Sequence, residues 1–452
     1  MIYLTIHPKQ TFKRPLTPSD WPRFQFYARR MNHLSFELWS HRVFGTRELS
    51  TNVLSAINSS LNLGHCHRSV FQNLKKLTCD VLGIPLREMR IFLSPRLTSL
   101  FLSISNSTVG LETFLTAVQA ASPFLRVVSI NGNRYSEKVR TAVSSLICGL
   151  PCLEVVLCST IALNYKALVA LSSLPKLWRL HMFLPGGPVA MDNCRPLPFS
   201  SLQDFDVSAA TIADVDKFLR LVSGSPSLYS LSVDVLATTT PQELHSFLTT
   251  VHRSSSRETL TKISLQDISE LVLVAPPSHS LDAHTISPLL QCPNLQTILF
   301  GMRYRQEAIN NSLMMDMAMA WPRLRSIHFF SLHSAGRWHS KVNLDGLVHL
   351  AQSCPALKSV SLGFDLSLPM APTHPGVRNE SLTYLYVDSS PITDPLAVAT
   401  FFSDVFPKLE LHHGWHSSGW GEDSPEFIEM CKRWGEVDRL LEIRKQERSQ
   451  EC

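Results

Sequence analysis

One spacing recurs along this chain and leaves few folds open to it: a proline, a leucine two residues later, and apolar residues five and seven after the proline. Its instances are Pro95/Leu97/Leu100/Leu102, Pro123/Leu125/Val128/Ile130, Pro151/Leu153/Val156/Cys158 and Pro175/Leu177/Leu180/Met182. Further on come Pro226/Leu228/Leu231/Val233, Pro293/Leu295/Ile298/Phe300, Pro322/Leu324/Ile327/Phe329 and Pro355/Leu357/Val360/Leu362. With 28 prolines and 44% apolar residues, random placement gives about two such matches. Five more units keep the apolar triplet without the proline: Met31/Leu34/Phe36, Leu74/Leu77/Cys79, Leu202/Phe205/Val207, Leu260/Ile263/Leu265 and Leu382/Leu385/Val387. Most steps between units are 23 to 35 residues, the first is 43, and a fourteenth unit at Pro407-Lys408-Leu409 degenerates after its leucine.

The residues five and seven after the proline alternate with polar neighbours, as in a short strand with one buried face. Amphipathic helices lie between. Ser136 opens one that puts Val139, Ala142, Val143, Leu146 and Ile147 on a single face. Thr240-Pro241-Gln242-Glu243 is a capping box ahead of Leu244, Phe247, Leu248 and Val251. Thr211 and Asp214 open a third, closed by Gly224, and Asp394-Pro395 a fourth that buries Leu396, Ala399, Phe402 and Phe406. A strand and a helix repeated in this way stack into an α/β leucine-rich-repeat solenoid of the ribonuclease-inhibitor-like kind, a parallel concave sheet with convex helices. The proline sits in the loop before each strand, where its missing donor harms no ladder.

Composition narrows the function classes. Lys and Arg exceed Asp and Glu by 42 to 37, spread along the chain with no dense cluster. A nucleic-acid partner is therefore not expected. No apolar run approaches the ~20 residues of a membrane helix, and the start, Met1 to Ile6, is too short for a signal peptide. Ten cysteines lack paired spacing. They read as buried reduced thiols of an intracellular protein, cytoplasmic or nuclear.

Repeats of the form Cys/Ser-Pro-x-Leu-x-x-Leu-x-Leu resemble those of F-box leucine-rich-repeat proteins. Within that family, Arg14-Pro15-Leu16-Thr17-Pro18-Ser19-Asp20-Trp21, with Phe24, Tyr27, Ala28, Arg29 and Arg30, is similar to a large F-box-like group of mushroom-forming fungi. So is Phe92-Leu93-Ser94-Pro95 with Leu97-Thr98-Ser99-Leu100. The resemblance implies a substrate receptor of a cullin-type ubiquitin ligase, whose F-box docks onto the Skp adaptor while the repeats hold the substrate. Only sixteen residues precede Thr17, short of the ~40 below which a chain rarely folds alone. No complete F-box is expected in 1–30, and Skp and cullin are expected partners only if an F-box lies upstream. A repeat scaffold or regulator unrelated to ubiquitination stays open.

Residues four, six and eight places after the proline point away from the core and line the face where solenoids bind. Many are small: Ser99, Ser129, Ser230, Ser232, Ser326, Ser359 and Ser361. Two clusters are richer, Arg179, His181 and Phe183 beside Asp204 and Asp206, and His328 and Phe330 with Tyr384, Tyr386 and Asp388. Aromatic and arginine side chains together favour a protein partner. No catalytic residue, cofactor or metal is expected. His65-Cys66-His67 lacks a second pair at zinc spacing, and neither a nucleophile elbow nor a phosphate loop is present.

The expected organisation is a capping segment at 1–30, repeats over 31–411, and a loop, capping helix and charged tail at 412–452, in a monomer. Trp21, Phe24 and Tyr27 cap the first repeat, with Pro22 forcing that helix to start late or kink. His412-His413-Gly414-Trp415-His416 with Trp420 forms a loop over the last edge. Phe427, Met430, Trp434, Val437 and Leu441 form one stripe of a capping helix, which gives way to a solvated tail from about Arg444.

Overall fold

The computed structural model describes residues 17–36, 55, 57, 70–80, 86–104, 109–132, 136–186, 195–222, 228–253, 258–268, 279–302, 304–329, 340–367, 376–387, 390–412 and 425–451. The chain forms two compact units, Met1–Pro185 with Arg195–Ser208 and Gly186–Cys194 with Ala209–Cys452. The first contains strands β1 (His33–Phe36), β2 (Lys76–Asp80), β3 (Ser99–Ser103), β4 (Val127–Asn131), β5 (Val155–Ala162) and β6 (Arg179–Leu184), and all but the last residue of β7 (Asp204–Ala209). Its helices are α1 (Trp21–Ala28), α2 (Leu111–Ala121), α3 (Glu137–Cys148) and α4 (Tyr165–Ser172). The second contains β8 (Ser230–Val235), β9 (Lys262–Asp267), β10 (Thr297–Gly301), β11 (Ser326–Phe329), β12 (Ser359–Ser361), β13 (Tyr384–Tyr386) and β14 (Glu410–His412). Its helices are α5 (Ile212–Leu221), α6 (Pro241–Arg253), α7 (Ala283–Ile286), α8 (Asn311–Ala320), α9 (Leu344–Ser353), α10 (Pro395–Val405) and α11 (Pro425–Glu451).

Within each unit successive strands pair in parallel, the arrangement of a leucine-rich repeat. The residue five after each proline forms one buried row, Leu77, Leu100, Val128, Val156 and Leu180 in the first unit. In the second the row is Leu231, Ile263, Ile298, Ile327, Val360 and Leu385. Every member of both rows is at most 1% exposed. A second rule stitches the strand entries. The carbonyl of Lys75 accepts from the N–H groups of Thr98 and Ser99, that of Thr98 from Arg126 and Val127, and that of Arg126 from Glu154 and Val155. One carbonyl thus receives two donors, and the backbone is saturated where the proline loop becomes strand.

The helix starts follow their caps. Ser136, Asn164, Thr211, Asp282, Asn310, Asn343 and Asp394 each accept a backbone N–H from the first turn. The capping box closes both ways, Glu243 N–H to Thr240 Oγ1 at 3.3 Å and Thr240 N–H to Glu243 Oε2 at 2.9 Å. In the repeat where Glu380 replaces proline, buried Asn379 ties the turn. Its Nδ2 donates to the carbonyls of Ala351 and Cys354, both at 3.2 Å, and its Oδ1 accepts from Ser381 N and Leu382 N at 2.9 and 3.1 Å.

Several expectations change. Pro22 neither delays nor kinks α1, because it occupies the first turn, where no N–H is needed. Trp21 and Phe24 are half-buried, Phe24 edge-on to Phe71 at 6.1 Å, but Tyr27 is exposed. Leu396 is 58% exposed, on the outer side of α10, whereas Ala399, Phe402 and Phe406 are buried. The fourteenth unit does form a strand, in which Leu411 pairs with Leu385. Leu411 follows Leu409 by two residues instead of three, so the template missed it, and His412 belongs to β14. There is no tail from Arg444: α11 runs on to Glu451 because Arg444 donates to Thr400 Oγ1 and Arg448 to the Ser403 carbonyl, at 2.8 and 2.9 Å. Gly224 and the residues from His413 to Trp420 lie outside the described residues.

Helix α11 closes its unit through Trp434, Val437 and Leu441, with the fully buried Trp434 ring donating Nε1–H to the Ser390 carbonyl at 2.9 Å. Trp434→Ala is expected to lower stability in urea by about 3–5 kcal/mol, and Trp434→Phe, which keeps a ring but orphans that carbonyl, by about 1–3 kcal/mol. An unchanged midpoint in Trp434→Phe would refute the hydrogen bond's share. Asn379→Ala is expected to cost about 1–3 kcal/mol by the same measurement, since its four bonds have no substitute at Glu380; an unchanged midpoint would mean water replaces them.

Candidate functional site

Parallel register turns the outward positions into rows. In the first unit one row runs His33, Lys76, Ser99, Val127, Val155 and Arg179, and the next runs Ser35, Thr78, Phe101, Ser129, Leu157 and His181. Strand β7 continues the ladder, with Gln203 N and Asp204 N both donating to the Trp178 carbonyl at 2.8 and 2.9 Å.

Four of the five residues expected here come together as half-buried outward side chains: Arg179, His181, Asp204 and Asp206. Arg179 reaches across to β7, its Nη2 donating to Asp206 Oδ2 at 3.0 Å. The guanidinium remains 42% exposed and the carboxylate 17%, so the pair adds little stability but fixes where the planar fork points. Burial lowers the His181 pKa from its ordinary value, Arg179 lowers it further, and Asp206 opposes both. Phe183 does not join them, being only 4% exposed. Strand β5 bulges between Cys158 and Ala162, and the register shift at Phe183 takes that ring out of the outward row.

In the second unit the row Ser230, Lys262, Thr297, Ser326, Ser359, Tyr384 and Glu410 lies beside Ser232, Ser264, Leu299, His328, Ser361, Tyr386 and His412. Ser361 is small enough for the rings of His328 and Tyr386 to meet over it, 6.0 Å between centroids. Tyr386 stacks on His412 at 4.9 Å and 21°, and Tyr384 lies 5.4 Å from the same imidazole. Tyr384 and Tyr386 stay 41% and 36% exposed, so the patch offers ring faces to a partner. Phe330 and Asp388 lie outside the described residues. His412 was missed as a member of this patch because its unit departs from the template.

Ser359 Oγ lies 3.1 Å from His328 Nε2. That contact is an interstrand bond in regular mid-strand backbone, and burial alone lowers the imidazole's pKa. A nucleophile would need a third group orienting the base; among the described residues no carboxylate is bonded to His328. No three His, Cys, Asp or Glu side chains gather to hold a metal there either, and His65-Cys66-His67 lies outside the described residues. The thiols of Cys158 and Cys354 are pushed up by burial to about 12 and about 11, away from nucleophilic range. No helix among the described residues is long and apolar enough to cross a membrane.

Sequence reasoning also missed an apolar stretch in the first unit's outward rows. Phe101, Val127, Val155 and Leu157 are half-buried on neighbouring strands. The signal was present: these strands are apolar at the outward places as well as the inward ones.

No family model matches the chain, and no curated protein matches it. Among solved structures it is similar to an internalin (inlF) from Listeria monocytogenes, 13% identical with a TM-score of 0.43, over 86% of this chain and 88% of that one. It is also similar to a chain of the yeast Rad7 and Elc1 complex, 17% identical with a TM-score of 0.40, over 87% and 92% respectively. The leucine-rich-repeat fold itself stands on the parallel ladders and their buried rows.

Proposed function

We propose that the chain is a non-catalytic protein-binding solenoid, the substrate-recognition part of an F-box-type ubiquitin-ligase receptor. The observation that carries the binding half is the outward patch of Tyr384, Tyr386, His412 and His328, ring faces held by packing on rigid strands. Rings fixed in this way lose little conformational freedom on binding, which suits them as anchors. Arg179, His181, Asp204 and Asp206 serve the first unit in the same way, with the guanidinium aimed by Asp206. The ligase half is supported by the motif resemblance over Arg14–Arg30 and Phe92–Leu100. In this reading the segment to residue 30 and helix α11 act as caps, the repeats between them hold the substrate, and Skp and cullin join only if an F-box lies upstream.

Proximity labelling in the source cell tests both halves, comparing the wild type with Arg179→Glu/Tyr386→Ala and with Met319→Ser, an outer-helix control. The outward double variant should lose the labelled substrate by about tenfold or more, while the control retains it. A labelled set that ignores the double variant would refute the outward face as the binding surface. The full gene product should label a Skp-type adaptor; its absence would remove the ligase half and leave the binding half standing.

A further inference from the structure

We infer that the strand-entry rim of β2–β4, with the apolar surface just inside it, docks a segment of a partner protein that carries acidic residues beside aliphatic ones. This deepens the protein-binding reading and rests on it. Lys75, Lys76, Arg96 and Arg126 are scattered over fifty-two residues of sequence, yet the ladder gathers them. The Lys75 carbonyl accepts from Thr98 N at 2.9 Å and the Thr98 carbonyl from Arg126 N at 2.8 Å. Lys75 and Arg126 therefore stand two rungs apart, about 10 Å at the ~4.8 Å spacing of strands.

All four cations are exposed. Arg96 is held in place by Nη1 donating to Asn73 Oδ1 at 2.8 Å, while Asn73 Nδ2 donates to the Arg29 carbonyl at 2.6 Å. Lys76 Nζ lies 4.8 Å over the Phe101 ring. Only Arg126 has an acidic partner among the described residues, Glu154 at 3.5 Å, so the rim carries unbalanced positive charge. The corresponding positions of the second unit also carry cations, Lys262, Arg323, Arg325, Lys358 and Lys408, with Glu410 among them. What sets the first unit apart is the apolar surface inside its rim, Val127 and Val155 where the second unit has Thr297, Ser326 and Ser359.

What lies inside the rim decides the occupant. Val127 and Val155 follow Lys76 in its own row, with Phe101 and Leu157 in the next. Phe124, 62% exposed, takes in its loop the place after the proline that Arg96 holds in the loop before, two residues ahead of Arg126. Aliphatic side chains give nucleic-acid bases no face to stack on, and the one ring of the inner surface is already covered by Lys76. A phosphate headgroup would look for free backbone donors, but those of residues 98, 99, 126 and 127 are used in the ladder. A peptide with carboxylates toward the rim and aliphatic side chains toward Val127, Val155 and Leu157 satisfies both surfaces.

The test is a selection of random displayed peptides on the full chain, followed by affinity measurement of the enriched peptides. Enriched sequences should combine Asp or Glu with Leu, Ile or Val. Their affinity for Lys75→Glu/Lys76→Glu should fall by about tenfold or more, while Lys75→Arg/Lys76→Arg should retain it; circular dichroism and thermal melting verify that both variants fold. Enriched peptides that ignore the charge reversal but are lost in Arg179→Glu/Tyr386→Ala would overturn the rim and leave the outward-face reading intact. No enrichment at all would count against both. A single-stranded oligonucleotide or anionic vesicles of phosphatidylserine bound more tightly than the selected peptides would also overturn the assignment.

Discussion

The structure depends on a burial problem that no repeat can solve alone. Each strand presents two apolar side chains on one face, and a three- to eight-residue strand with one helix has too little substance to cover them. Leu100 is sealed by Leu77 and Val128 in adjacent strands, and Ile298 by Ile263 and Ile327. Each repeat therefore completes its neighbour, and stability is a sum of interfaces. The terminal faces then need covering. Phe24 and Phe71 provide rings at the start, and Trp434, Val437 and Leu441 of α11 do so at the end.

This dependence is why the fold was legible. A side chain that must meet its counterpart in the next repeat has to recur at a fixed place, and Pro-x-Leu-x-x-apolar-x-apolar records that requirement in the chain. The caps were legible for a similar reason, since Thr240 and Glu243 or Asp394 act within one turn of themselves. What failed was decided elsewhere. Leu411 slipped out of the template by one residue, and only its pairing with Leu385 restores it to the sheet. Phe183 has the right parity to face outward, but the bulge that buries it lies in the preceding strand. The continuation of α11 past Arg444 depends on Thr400 and Ser403, some forty residues earlier in sequence.

The outward face was legible only as parity. Counting four and six places from each proline finds Tyr384, Tyr386 and His328, yet cannot say that the single serine at 361 brings two of these rings within 6.0 Å. The rim was less visible still. Lys75, Arg96 and Arg126 look like dispersed surface charge in a chain with a net charge of +5, and a search for dense basic runs passes over them. In a parallel ladder, density in space comes from register rather than from sequence proximity.

That separation shows how the outward face of the first unit divides its work. Exposed charges at a rim act mainly on the rate of encounter, through fields that salt screens within about 10 Å. Desolvated rings and aliphatic side chains act mainly on the lifetime of the complex. Lys75, Arg96 and Arg126 lie at the strand entries, where side chains reach water freely, and Val127, Val155, Phe101 and Leu157 lie one or more residues further into the strand. A partner drawn in by its acidic residues would therefore meet the anchoring surface without having to travel, because the pleat that points Lys76 outward also points Phe101 outward from the neighbouring strand.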